Sequence, residues 1–333
     1  MPNPGKNKLT ENRVPQLTNI AALVISLVCL SACSPSEDKN KTESEKPPEW
    51  PRSIVDSLDR TITVDSPPQR IIPIFASNTE LLHALGLLSK MVAREEMARY
   101  PADILELPIV GGKTGFSVEA ILSKKPDLVV LTPARQAAGT LAEPLTRMGI
   151  PTVVLQHTTV ESIFQNLILL GHLNGRDEQA AALASEWRLR LDQLTALIKD
   201  QPAVTVFLET GSIHGGIIAT VQPESYTWNM VELSGGTLPW NHFEGPGQVS
   251  WESILRADPD IYLVARTDAW QEEAKSRPGW SRLKAVRNGN VHSVERAHLL
   301  IPGPRVLDGI QEMIAIFHPS APSDPPLPLA EEP

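Results

Sequence analysis

Six short apolar, β-branched runs punctuate the chain: Ile71–Phe75, Asp127–Leu131, Thr152–Leu155, Ala203–Leu208, Asp260–Ala265 and Val291–Val294. Runs of this length with little polar alternation read as strands buried on both faces. Helical patterns separate them: Thr79–Gly86, carrying Leu81, Leu82 and Leu85, then Val118–Lys124 and Trp251–Arg256. Strands alternating with helices predict an α/β fold with parallel sheets.

The middle of the chain carries no strand pattern. Val160–His172 reads as one helix, Asn174-Gly175 ends it, and Asp177 is placed to cap the next. Trp187, Leu191, Leu194 and Ile198 form an apolar stripe at helical spacing. A helix of roughly 22 residues at this point would be about 33 Å long, enough to join two lobes rigidly. The expected layout is an N-terminal α/β lobe at 54–158, a helical connector at 159–200 and a C-terminal α/β lobe at 201–318. These are two Rossmann-like lobes joined by one long connector helix.

The ends differ from the body. Lys6, Lys8 and Arg13 precede an apolar run from Ile20 to Leu30, too short to span a bilayer but suited to an export signal. The run ends in Leu30-Ser31-Ala32-Cys33, which resembles a bacterial lipobox. That resemblance implies removal of 1–32 and lipidation of Cys33. Residues 33–53 are polar, Ser-, Glu-, Lys- and Pro-rich, and read as a flexible tether; 319–333 read as a second disordered tail.

Composition narrows the function. The formal net charge is −9, which argues against nucleic acid as a partner. The chain has two cysteines, both before residue 34, so the body has no disulfide and no thiol nucleophile. Gly111-Gly112-Lys113-Thr114 imitates the end of a phosphate loop, but Leu107 stands where its first glycine is required. Neither a Gly-x-Ser-x-Gly elbow nor a His-Glu-x-x-His pair occurs. No catalytic residue, resident cofactor or metal site is expected. Of the eight histidines, His292 and His298 lie near each other without the spacing of a helical ligand pair, and His83 suits an apolar helix face.

One segment is repeated. Ser117-Val-Glu119-Ala-Ile121-Leu122-Ser-Lys-Lys-Pro126-Asp127 returns as Ser250-Trp-Glu252-Ser-Ile254-Leu255-Arg-Ala-Asp-Pro259-Asp260, identical at six of eleven positions. Ser would cap a helix and Glu would sit in its first turn, favoured there by the helix dipole. Each glutamate could be only that. The duplication also sets one carboxylate at matched points of both lobes, a two-point docking geometry for a partner with two basic sockets.

These features resemble the binding proteins of ABC importers for iron-siderophores, haem and vitamin B12, the type with a helical backbone between lobes. The matching residues span about 56–318 and include Pro68-x-Arg70-Ile-Ile, Asn78-Thr-Glu80-Leu-Leu, Ala84-Leu-Gly86, Tyr100-Pro101 and Val110-Gly111-Gly112. Further on come Gly149-Ile-Pro151, Leu170-Gly171, Glu232-Leu-Ser-Gly235-Gly236, Pro278-Gly-Trp280 and Pro302-Gly-Pro304-Arg305. The resemblance implies that Glu119 and Glu252 dock on arginines of a permease dimer coupled to an ATPase, and that a small chelate, ferric siderophore or corrinoid, sits between the lobes. The chain would be exported, lipid-anchored at the cell envelope on its periplasmic face or outer surface, and would act as a monomer. Ile301 stands where the family often has arginine, which makes the cleft less suited to an acidic ligand.

Strand ends facing such a cleft would offer Phe75, Asn78, Thr132, Arg135, His157, His214, Arg266 and the loop at His298, with Met97–Tyr100 as a further edge. Trp228, Trp240 and Trp270 fall in expected loops of the second lobe, where aromatic faces could stack on a flat macrocycle or a catecholate. Haem ligation by His214, Tyr100 or Met97 is a variant of this reading. The competing reading is an enzyme or sensory lipoprotein on the same scaffold.

Overall fold

The structure, a computed structural model, describes residues 49–132, 138–213, 216–240, 247–265, 270 and 274–322. The expected signal, Cys33, most of the tether, Arg135, His214, Arg266 and the tail from 323 lie outside the described residues.

The N-terminal sheet is parallel, in the order β3 (Ile71–Pro73), β6 (Leu128–Leu131), β7 (Thr152–Val154). Single parallel bridges, Ile71 with Met91 and Arg94 with Ile109, extend it beyond β3. Every residue of these three strands is buried, as expected of a parallel sheet covered on both faces. The C-terminal sheet is also parallel and runs β11 (Gly236–Thr237), β8 (Val204–Glu209), β13 (Ile261–Val264), β14 (Val291–Ser293). All six apolar runs therefore contain strands, and the fold is the expected α/β pair of parallel sheets.

Helix α1 (Ala76–Ala84) starts three residues before the expected Thr79. Phe75 stands at its N-cap with φ 77°, which turns the chain directly from β3 into the helix. The hairpin of β1 (Arg52–Val55) and β2 (Thr61–Val64) precedes β3 and begins before the expected lobe boundary at 54. Its alternation puts Ile54, Ile62 and Val64 inside. Asp56 fastens it to β7, accepting from the Leu58, Arg60 and Val154 N–H groups and from the Arg60 guanidinium.

The connector is a helical hairpin. In α4 (Val160–Leu173), Thr159 and Ser162 form a reciprocal capping box. Gly175, φ 66°, follows its last turn. In α5 (Asp177–Ala196), the N-cap falls on Arg176, and Asp177 lies in the first turn instead of capping it. Its carboxylate bonds Arg52 and His172 Nδ1 because both side chains lie where α4 ends. The helices pack tightly at Gly171, where a Cβ would come 2.3 Å from that of Ala180. Trp187 of α5 packs on Phe164 of α4, with centroids 5.7 Å apart. Arg190 of α5 donates to Asp308 (2.7 Å) and Gln311 (3.0 Å) of α10 (Val306–Phe317). The long helix, 20 residues, is thus bonded to both halves of the body.

The core follows the same path. One apolar cluster runs without a break from Ile54 and Leu81 through Leu167 and Trp187 to Met230, Leu263 and Phe317. Smaller clusters fill the outer faces: Ile72, Val129 and Leu131 in the first lobe, Phe207, Trp251 and Tyr262 in the second.

Candidate functional site

Contacts between the lobes come from segments that leave the C-terminal ends of strands. Val160, just past β7, donates its N–H to Asn229 Oδ1 (3.1 Å) of α6 (Tyr226–Leu233). Glu80, in α1 just past β3, accepts from Arg305 Nη2 (2.5 Å) and Nε (3.1 Å). Arg305 opens α10, beyond α9 (Arg296–Leu300), which itself follows β14. The segments leaving the C-terminal edges of both sheets therefore meet, at the position where open α/β sheets bind ligands.

Glu80 is 1% exposed. Burial raises its carboxyl above the usual range, and the Arg305 hydrogen bonds and charge pull it part of the way back. The Arg305 guanidinium also lies 4.7 Å over the Tyr100 ring, which meets the His83 ring edge-on at 5.8 Å. Gly303 passes so close that a Cβ there would come 2.7 Å from Glu80 Oε2. His298, on α9 and not in the expected loop, pairs through Nδ1 with Glu312 (2.7 Å).

The other candidates separate into rim and interior. Phe75, half-buried, meets Phe116 of the hairpin β4 (Gly111–Gly112) and β5 (Gly115–Phe116), with centroids 5.9 Å apart. A phenylalanine at φ 77° is strained, and such strain concentrates at functional sites. Met97 is 42% exposed. Asn78 is fully buried and donates to Ile74 O (2.6 Å) and Thr132 Oγ1 (3.1 Å); it ties α1 to the end of β6 below the rim. Trp228 lies on α6, not in a loop, and donates to Glu232 one turn on (3.0 Å). Trp240 packs edge-on against Phe207. Trp270 is buried and donates to Glu209 (2.7 Å). These two indoles pack into the second lobe's core because Phe207 and Tyr262 give them aromatic partners there.

His157 is buried, and its Nδ1 accepts from Asn166 Nδ2 (3.1 Å), which puts the ring proton on Nε2. Burial pushes its pKa down to about 4. Among the described residues no three His, Cys, Asp or Glu side chains converge as a metal set.

The repeated segments fold alike. Ser117 caps α2 (Val118–Ser123) by accepting from Ala120 N–H, and Ser250 caps α7 (Trp251–Ala257) by accepting from Ser253 N–H. Lys125 (φ 49°) and Asp258 (φ 40°) turn each chain left-handedly after its helix. Asp127 accepts from Gln69 and Arg70 N–H, and Asp260 from Thr205 N–H, so each ties its strand to the neighbouring one. Ile121 and Ile254 are fully buried. The glutamates alone have no such tertiary task. Both are exposed. Glu119 accepts from its own cap, Ser117 Oγ (2.8 Å). Its own backbone N–H, then Ser117, hold its carboxyl below the usual range, so it stays ionised. Each glutamate lies in the first turn of its helix, at the matched position of its repeat.

The profile of the family described as periplasmic binding protein matches residues 71–296, from β3 through the start of α9. The chain belongs to the periplasmic binding protein family. Its relatives within and around that family agree in length as well as sequence. It is 26% identical over 314 residues to the uncharacterized ABC transporter substrate-binding lipoprotein YvrC of Bacillus subtilis, covering 90% of this chain and 96% of YvrC. It is 28% identical over 253 residues to the vitamin B12-binding protein of Vibrio cholerae, covering 74% of this chain and 88% of that one. The crystal structure of the Vibrio cholerae periplasmic vitamin B12-binding protein BtuF superposes with a TM-score of 0.67 at 27% identity, over 75% of this chain and 97% of that chain.

Sequence reading passed over three residues that touch the candidate ones: Glu80, Arg305 and Phe116. Glu80 and Arg305 stood inside the family motifs without a role. The available signal was a polar Asn-Thr-Glu trio starting a helix whose next residues, Leu81 and Leu82, are fully buried.

Proposed function

We propose that this periplasmic binding protein is the substrate-binding lipoprotein of an ABC importer. It captures a ferric siderophore or a corrinoid between its lobes and hands it to a permease driven by an ATPase. It performs no chemistry and holds no resident cofactor; the chelate is cargo. Cys33 carries the lipid that keeps it at the envelope. Phe75, Tyr100 and Thr132 form the described part of the ligand wall, with His298 at its back, and Arg135, His214 and Arg266 belong to the proposed set. Glu119 and Glu252 dock on the permease.

The observation that carries this reading is the pair of exposed carboxylates at matched points of the two repeats, in segments whose other repeated residues serve the fold. The vitamin B12-binding relatives and the lipoprotein relative support the cargo class and the anchor.

The test has two parts. The full chain, in mild detergent, is titrated with cyanocobalamin, ferric hydroxamate, ferric catecholate, ferric citrate and haemin while tryptophan fluorescence is followed. Saturable quenching by one of them is expected, and silence across the panel removes the cargo assignment. The double variant Glu119→Arg, Glu252→Arg should bind that chelate normally but fail to support its uptake by cells. Normal uptake removes the docking assignment.

A further inference from the structure

The second lobe carries a half-open hollow of about 600 Å³ whose lining includes neither Glu80 nor Arg305. Its apolar floor is Ile218, Trp251 and Leu255, and Pro278 and Gly279 close one side. Glu252 stands at its mouth.

The walls are fixed by bonds that a soft surface would not have. Trp251 Nε1 donates to Pro278 O (2.6 Å), and the Trp251 ring stacks on Trp280 with an interplanar angle of 20°. Arg277 lies 5.5 Å over the Trp251 ring and donates twice to the buried Glu209, at 2.8 and 2.9 Å. Its charge is therefore spent inside the lobe. Arg282, exposed on the rim, repels a second cation.

The two repeats differ at this point. Ser117 Oγ holds the Glu119 carboxylate, whereas Ser250 Oγ is bonded to Ser253 Oγ (3.0 Å) and leaves Glu252 unheld. The residue before each glutamate also differs, Val118 against Trp251, and Trp251 forms the floor of the hollow.

We infer that the second lobe engages the permease through a two-part socket: Glu252 pairs with a cationic side chain, and the hollow beside it takes an adjacent uncharged apolar side chain of the same permease segment. This rests on the docking role proposed above for Glu252. The charges select this occupant. The free carboxylate at the mouth calls for one cation, and Arg282 with the apolar floor excludes charge from the interior. A rigid apolar pocket beside an ion pair also shields that pair from water, the arrangement that makes interface contacts strong.

The experiment fills the hollow without touching the glutamate. Ser276 lines it and is exposed, so Ser276→Trp places an indole in it. The expected result is a loss of chelate uptake by cells of about tenfold, the scale of a lost apolar anchor, with chelate affinity and thermal midpoint unchanged. In parallel, N-acetyl-Arg-Phe-amide is titrated into the wild-type chain while the Trp251 indole resonance is followed by NMR. A saturable shift is expected, weakened in Glu252→Gln and absent with N-acetyl-Arg-amide. Normal uptake by Ser276→Trp overturns the socket. If the double charge reversal still abolishes uptake in the same cells, the docking role stands without it. No shift of Trp251 at millimolar dipeptide overturns the socket too, even if Ser276→Trp does not fold. Normal uptake by the charge-reversed chain removes the docking role itself.

Discussion

Arg305 reaches across the lobe boundary to Glu80, 225 residues earlier in the chain, and the carboxylate it meets is 1% exposed. The partners are not equivalent. Burial favours the protonated form of Glu80, so this group's contribution to stability is full below about pH 4.5 and declines as pH rises through its higher folded pKa. Arg305 limits that decline. Arg305→Met should therefore cost about 3 kcal/mol at pH 7, where it strands a buried anion, and clearly less near pH 4.5, where Glu80 takes a proton. Adding Glu80→Gln should restore most of the loss at pH 7. Urea unfolding at both pH values measures this, and equal losses at both would dismiss the pairing.

His157 gives the opposite slope. Its folded pKa lies near 4 against an ordinary 6.5, so its contribution is full above pH 6.5 and is lost as pH falls toward 4. A gap of that size is on the order of 3 kcal/mol. His157→Gln should lose correspondingly less stability than wild type between pH 7 and 4.5. Parallel curves for the two proteins would refute it.

Glu209 is fully buried and takes four hydrogen bonds, from Tyr262, Trp270 and two from Arg277. Glu209→Gln removes the buried carboxylate charge on which Arg277 bonds twice, and should lower stability by about 3–5 kcal/mol. Near-ultraviolet circular dichroism should change as well, because Trp251 and Trp270 both pack against that guanidinium. An unchanged spectrum and midpoint would count against it.

Where α4 and α5 pack at Gly171, Gly171→Ala should destabilise by about 1–3 kcal/mol through overpacking. The rescue is specific: Ala180→Gly added to it should recover most of the loss, since it removes the atom that clashes. Thermal melts of the two single variants and the double variant decide this.

How much was legible follows from where the information sits. Buried parallel strands leave unbroken apolar runs, so Leu128–Leu131 and Ile261–Val264 could be read directly. The antiparallel sheet of β12 (Gln248–Ser250), β10 (Ile217–Ala219) and β9 (Gly211–Ile213) could not, since three-residue strands carry no period. Trp228 on its helix and Trp270 in the core differ from the expected loops, because an indole looks the same in sequence whether it faces a ligand or a neighbouring ring. Trp270 is settled by Glu209 and Tyr262, both distant in the chain. The repeat was legible as a repeat, but its division of labour was not. Only the bonds of Ser117, Asp127 and their counterparts reveal which members serve the fold.

The uninterrupted apolar core has a practical consequence for building reporters from this protein. Parting the lobes would pull Leu81, Leu167 and Met230 out of one shared cluster, so the proposed loading should change the angle between lobes little. A pair of fluorophores spanning the two lobes would make a poor sensor. A single polarity-sensitive dye on the rim at Met97 would make a good one.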